Sequence, residues 1–320
     1  MHNLLSTPQP RSADIRVVGA DWVEVNCQFK ADRSISKVDF ANALKRASEI
    51  RDETAEIIAG DVFLELEDRI KVCHRWDKGT ASYPFKLNSE KTALTLRRGI
   101  RRQTRAGLLY WFLLLICRVN MDSRTRVLDS QDPTKLFELV CADVLKSFWR
   151  SGDAYSGAMV FGTGGRSPES YTGFENAINR LSKLLSEGSG WRPGARTPGA
   201  GDAKLDVVAW RKFSDLRPGS LVGFAQCKTG IHWKDHLDKL QPAKFSLDYF
   251  REPLLVEPIR LYMIPWRIDK QHWRTHTNHG GILFDRCRIV QYGDYISSSV
   301  IARCRKWVMA ALEQQATNAG

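Results

Sequence analysis

Apolar positions along this chain change rhythm several times, and each change predicts an element. Phe137, Cys141, Val144 and Phe148 recur at helical spacing, behind Asp132 as N-cap and Pro133 at the first helical position. Phe174, Ile178, Leu181 and Leu185 repeat that rhythm and predict a helix over 171–186. Two short apolar runs follow, Val207-Val208-Ala209-Trp210 and Leu221 to Ala225, each reading as a buried strand. The polar segment between them carries Pro218-Gly219, the content of a hairpin connection. Beyond it the pattern predicts a helix over 233–249 broken at Pro242, a strand over 259–264, a helical piece around His272 and a strand over 282–290. An amphipathic helix over 300–312 closes the chain, with Val300, Cys304, Trp307 and Ala311 inward.

The first part reads as α+β. Strand-like runs cover 15–29 and 57–66, a helix covers 38–48, and a long helix is predicted over 90–117. Leu108 to Cys117 is an unbroken apolar run of about half the ~20 residues needed to cross a bilayer, so it predicts a buried helix. On the predicted helix Arg97, Arg98, Arg101, Arg102 and Arg105 fall within one sector at about 100° per residue. That sector is either a phosphate-contacting face or a solvated one. A break near Asp129 to Pro133 divides the chain into an N-terminal α+β accessory domain (1–129) and a second domain (130–320).

Composition narrows the function. Apolar and charged shares of 43% and 26% are ordinary for a globular chain, but a formal charge of +12 over 320 residues is not. It favours a polyanionic partner, nucleic acid ahead of membrane. No apolar segment opens the chain, so a cytoplasmic location is expected. Seven cysteines without Cys-x-x-Cys spacing point to buried thiols, against a disulfide framework or structural zinc. His272, His276 and His279 share one predicted helix face with no acidic or Cys partner nearby, which reads as a surface helix. Gly162 to Gly165 lacks the Gly-Lys-Ser ending of a phosphate-binding loop.

The chemistry concentrates on the hairpin. Asp206 opens the first strand, and twenty residues later Gln226-Cys227-Lys228 closes the second. Side chains two apart on a strand share a face, so Gln226 and Lys228 project together while Cys227 points the other way. A carboxylate, an amide oxygen and an ammonium then meet at one spot. Hard divalent cations take oxygen ligands, and a scissile phosphate is helped by a positive charge beside it.

With these residues the chain resembles the PD-(D/E)xK restriction-endonuclease-like nucleases, and most closely their Mrr-like members with a Gln in the motif. The resemblance covers the last 190 residues or so, in the order helix, strand, Asp-strand, QxK-strand, helix, strand. It implies an α/β core, a central mixed sheet flanked by helices, joined to the N-terminal domain. It also implies a metal-dependent DNA endonuclease with a role in restriction or antiphage defence, alongside partner proteins or as a homo-oligomer. A nuclease fold that binds without cutting, or one directed at RNA, are the alternatives.

Carried over residue by residue, Asp206 and Gln226 match the metal ligands, with the Cys227 carbonyl beside them, and Lys228 matches the catalytic lysine. Mg²⁺ or Mn²⁺ is the expected ion. A helix acid completes such sites. Both Glu138 and Glu175 follow a Phe early in a predicted helix, and Leu136-Phe137-Glu138-Leu139 is the nearer match. Asp202, in the approach to Asp206, reads as a loop residue. Lys204, Arg211, Lys212, Lys234 and Lys239 are candidates to track the phosphate backbone. Trp233 either stacks on a base or fills the core, and Trp210 reads as core.

Overall fold

A computed structural model describes residues 4–74, 82–119, 124–149, 155–161, 173–198 and 203–319 of the chain. It is mixed α+β and divides into two compact units. One comprises Met1–Leu136, Pro265–Trp273 and Asp285–Gly320, the other Phe137–Ile264 and Arg274–Phe284. This differs from the expected division at residue 130. The C-terminal helix belongs to the first unit, because its apolar face packs there: Trp307 stands edge-on to Phe112 at 5.6 Å and donates its indole N–H to the Arg126 carbonyl at 2.8 Å.

In the first unit the chain runs α1 (Ile15–Cys27), β1 (Ser34–Ser36), α2 (Lys37–Ala47), α3 (Asp52–His74), β2 (Phe85–Leu87), β3 (Ala93–Leu96) and α4 (Arg105–Ile116). The strands form a small antiparallel sheet in the order β1-β3-β2. Helices α1 and α3 replace the strands expected over 15–29 and 57–66. Both segments are rich in Val, Ile and Leu, which read as β by propensity. Burial overrides that preference: α1 is buried from Gly19 through Val25, and Gly19 lets it approach Val62 of α3 closely.

Only the second half of the helix expected over 90–117 is helical. Residues 93–96 pair as β3, Ile100–Arg102 form a single 3₁₀ turn, and Thr104 caps α4 by accepting the Gly107 N–H at 3.0 Å. Arg97, Arg98, Arg101, Arg102 and Arg105 are therefore not one helical sector. Arg105 donates to the Ile296 carbonyl and the Ser298 hydroxyl. The apolar run itself is buried on every side of α4, as expected of a core helix.

Charge is buried in this unit as well. Arg69, wholly buried, donates to Asp21 (2.7 Å), Glu24 (2.9 Å), Glu65 (3.1 Å) and the Val17 carbonyl (2.9 Å). Arg286 grips both oxygens of Asp21 at 2.7 and 2.8 Å and donates to the Pro265 carbonyl at 3.0 Å. Tyr83 and Tyr110 donate to Glu24 at 2.7 and 2.8 Å. Burial pushes the Asp21 carboxyl up, but the two guanidiniums outweigh it and hold the group below its ordinary range.

The second unit begins within α5 (Pro133–Phe148), where the Asp132 carboxylate accepts the Thr134 N–H at 3.0 Å, the N-cap expected of it. It continues through β4 (Ser156–Val160), α6 (Phe174–Leu185), β5 (Val207–Arg211), β6 (Leu221–Cys227), α7 (Pro242–Tyr249), β7 (Ile259–Met263), α8 (Trp273–Gly280) and β8 (Ile282–Phe284). The sheet order is β4-β5-β6-β7-β8, antiparallel through β6 and parallel from β6 to β8. Pro242 divides the helix expected over 233–249, leaving a 3₁₀ turn at Trp233–His236 before α7. The strand expected over 282–290 stops at Phe284. Asp285 accepts the Arg288 N–H and starts α9 (Arg286–Val290), which with α10 (Ser298–Ala319) returns the chain to the first unit.

Alternation along β6 separates the two faces of the sheet. Val222 and Phe224 join Phe174, Ile178 and Leu181 of α6 and Phe245 of α7 in one apolar cluster. Gly223 and Cys227 face α5 instead. A Cβ on Gly223 would lie 2.1 Å from the Trp149 ring and 2.7 Å from Leu261. Gly223→Ala is expected to cost about 1–3 kcal/mol through overpacking and to lower the unfolding midpoint by several degrees. An unchanged melting curve would show that Trp149 swings aside freely.

Candidate functional site

The β5–β6 hairpin brings its two motif halves together through register. Val207 pairs with Ala225, which sets Asp206 beside Gln226 and Cys227 at the end of the strands. The Asp206 N–H donates to the Ala225 carbonyl at 3.0 Å, and its carboxylate accepts the Cys227 N–H at 2.6 Å. On the other side the Lys228 N–H donates to the Met263 carbonyl of β7 at 3.0 Å. The motif backbone is thus pinned by both neighbouring strands.

Gln226 is fully buried, and neither its amide oxygen nor its amide nitrogen has a hydrogen-bond partner among the described residues. A buried amide left in that state costs on the order of 1–3 kcal/mol, so proteins rarely keep one without a use. Its register partner on β7 is Tyr262, whose hydroxyl donates to the Trp233 carbonyl at 2.6 Å. Burial, followed by the negative charge of Asp206, raises the Tyr262 hydroxyl well above its usual range.

Cys227 points away from Gln226, as its place on the strand requires, and its thiol meets Cys141 of α5. Burial, the Cys141 contact and the charges of Asp206 and Glu138 raise the Cys227 thiol. A thiol so disfavoured as thiolate is not a nucleophile. The same electrostatics locate Glu138: it is half-buried on α5, and its charge and that of Asp206 reach both sulfurs. Glu175 is exposed in the first turn of α6, the helix on the opposite face of the sheet. Glu138 thus lies on the α5 side of the sheet with Cys141 and Cys227, whereas Val222, Phe224 and Gln226 alternate toward the other side, so neither acid considered is brought to the Gln226 side chain.

Positive charge comes from Lys228, which is half-buried, and from exposed Lys204, set in a left-handed turn with Ala203 (φ 70° and 54°). Both act on His236 at the end of the 3₁₀ turn. Burial and then these two ammonium charges lower the His236 imidazole below its usual value, keeping it neutral near pH 7. Nothing in the local sequence marks His236, because no motif spacing ties it to Lys228.

Other expected contacts lie elsewhere. Arg211 and Lys212 follow the far end of β5, roughly 16 Å from Asp206 at about 3.3 Å per residue. The Lys212 ammonium is bound to the Leu184 carbonyl at 2.9 Å and to the Ser186 hydroxyl, where it answers the C-terminal end of α6. Trp233 is buried, edge-on to His276 at 5.1 Å, with Lys234 5.7 Å from its ring centre. It is core and offers no face to a base. Trp210 is core too, seated over Gly157 of β4. Asp202 and the segment 162–165 lie outside the described residues.

Among the described residues no group of three or more His, Cys, Asp and Glu side chains is gathered to hold a metal ion. An ion here would depend on neutral oxygens beside the carboxylates, as the Gln in the motif requires. No described helix is long and apolar enough to cross a membrane. The fold defines a mixed α+β protein whose second unit carries an Asp, a Gln and a Lys on the hairpin of a five-stranded sheet. No protein-family model, curated protein or solved structure matches the chain.

Proposed function

We propose that the second unit is a metal-dependent phosphodiester hydrolase acting on DNA, with its site at Asp206, Gln226 and Lys228. The observation that carries this reading is the buried, unpartnered Gln226 amide adjoining an Asp whose carboxylate is locked to the motif backbone. The donor set suits Mg²⁺ or Mn²⁺: the Asp206 carboxylate, the Gln226 amide oxygen and the Cys227 carbonyl are all hard oxygens. Such an ion supplies an acidified water and neutralises charge at the phosphate.

The chain's own residues do the rest. Asp206 holds the Cys227 backbone and thereby sets the direction of the flanking Gln226 and Lys228. Lys228 aligns the attacking water and stabilises the charge that develops on the phosphorane. Lys204 adds attraction for the phosphate backbone. The DNA preference and the restriction or antiphage role follow from the resemblance alone, as does cytoplasmic action with protein partners.

A second reading, a nuclease fold that binds nucleic acid without cutting, is favoured by the neutral Gln at a position that commonly carries an acid. Cleavage of supercoiled plasmid separates the two. Wild type with Mg²⁺ or Mn²⁺ is expected to nick, and EDTA or Asp206→Ala to abolish nicking. DNA binding without cleavage by wild type under every metal supports the binding-only reading. Faster cutting of a matched RNA would move the substrate to RNA.

A further inference from the structure

The five arginines of the first unit that surround residue 100 do something the predicted helix could not. Arg33, Arg97, Arg98, Arg101 and Arg102 line one groove of roughly 900 Å³ in that unit. Arg33 is the member the sequence pattern did not suggest. It comes from the turn before β1, where its backbone is left-handed (φ 53°) and its carbonyl accepts the Leu96 N–H at 3.0 Å. Its guanidinium lies over Gly99, where an added Cβ would be 3.2 Å from Nη1.

Three of the other four are tied to nearby backbone. Arg97 donates to the Phe85 carbonyl at 2.9 Å, the Arg102 N–H to the Gly99 carbonyl at 2.9 Å, and the buried Gln103 amide to the Arg98 carbonyl. Among the described residues Arg33, Arg98, Arg101 and Arg102 take part in no ion pair, and Glu313 is the sole carboxylate in the lining. So many like charges round one concavity repel one another unless an anion occupies it, and the concave shape concentrates their field. The groove lining is also apolar in part, through Phe29, Ile100, and Met309 and Leu312 of α10. Exposed guanidiniums beside a half-buried aromatic ring match a phosphate joined to a base, the pairing used by sites that hold nucleotides.

We propose that this groove binds nucleoside phosphates, its arginines on the phosphate oxygens and Phe29 against the base. The ligand is a free nucleotide or successive nucleotides of a single strand; both present the same chemistry. The assignment does not rest on the hydrolase reading, since no residue of the Asp206 site takes part.

Binding of ATP, of tripolyphosphate and of a short single-stranded oligonucleotide to the full chain tests it, by calorimetry and by fluorescence anisotropy. The exposed triple variant Arg98→Ala, Arg101→Ala, Arg102→Ala should keep the wild-type circular dichroism spectrum. Its ATP affinity is expected to fall at least about tenfold, and its oligonucleotide salt slope to flatten by about 2, the counterion release of three contacts at ~0.7 each. Phe29→Ala should weaken ATP more than tripolyphosphate. Oligonucleotide that displaces ATP and binds more tightly identifies a strand site, while ATP left in place identifies a free-nucleotide site. Failure of wild type to bind any probe, or equal affinities for wild type and the triple variant, overturns the proposal. Lys228→Ala in parallel keeps the test separate from the hydrolase site, because ATP binding should be unchanged by it.

Discussion

Arg286→Met is expected to lower the thermal unfolding midpoint by roughly 10 °C. Methionine fills much of the same volume but leaves the buried Asp21 and Glu24 with Arg69 as their main countercharge. Breaking a buried pair by removing one partner costs about 3–5 kcal/mol, because the remaining charge stays desolvated. At about 2–4 °C per kcal/mol for a unit of this size, that becomes a shift of roughly 6–20 °C. Arg286→Lys should rescue little, since one ammonium cannot span both Asp21 oxygens and the Pro265 carbonyl as the guanidinium does. The Asp21 contribution also has a pH sign. Its carboxyl is depressed in the fold, so the stabilisation is present above the ordinary value of 3.8 and lost as pH falls through the folded value. Differential scanning calorimetry of both variants decides the matter. A midpoint within about 2 °C of wild type for Arg286→Met would remove the network from the account of stability.

Lys228→Ala is expected to reduce metal-dependent cleavage by about 10²–10⁴ while leaving DNA affinity within a small factor. Removing a group that stabilises charge chiefly in the transition state lowers turnover more than binding. On the proposed reading, Lys204 and the rest of the basic surface would still hold the phosphate backbone, which buffers affinity. Lys228→Arg should recover only a fraction, because a planar fork is a poor substitute for a compact ammonium at this position. Single-turnover cleavage alongside anisotropy measures both quantities. Wild-type cutting by Lys228→Ala would eliminate the lysine from the mechanism. A matching loss of affinity would make it a binding residue.

Much of the second unit is legible in the sequence. Asp132 and Pro133 mark the start of α5 by local hydrogen bonding, and Pro218-Gly219 marks the hairpin by backbone preference. The opposite directions of Gln226 and Cys227 follow from strand alternation alone. Less was legible in the first unit. The Val-rich residues of α1 prefer strands until packing on α3 overrides them, and the same competition decides α3. The arginines around residue 100 looked helical because Glu90 to Cys117 contains no proline. Register with β1 and β2 decides otherwise for residues 93–96. His236 and Arg33 carry no signal at all, since each acquires its neighbours from segments distant in the chain.

What the sequence by itself determined is everything that depends on near neighbours. This covers the apolar rhythm of α5, α6 and α10, the caps, the hairpin, the excess positive charge and the pairing of Asp206 with Gln226-Cys227-Lys228 across one turn. Only the tertiary structure decided which unit claims α10 and that five arginines share a groove. It also decided that Trp233 is buried in the core and that the Lys212 ammonium is bound to the end of α6. The physical reason is range: caps, turns and alternation act over a few residues, whereas burial and electrostatics depend on segments a hundred or more positions apart. Arg286 and Asp21 meet across 265 residues of chain, and no local pattern encodes that contact.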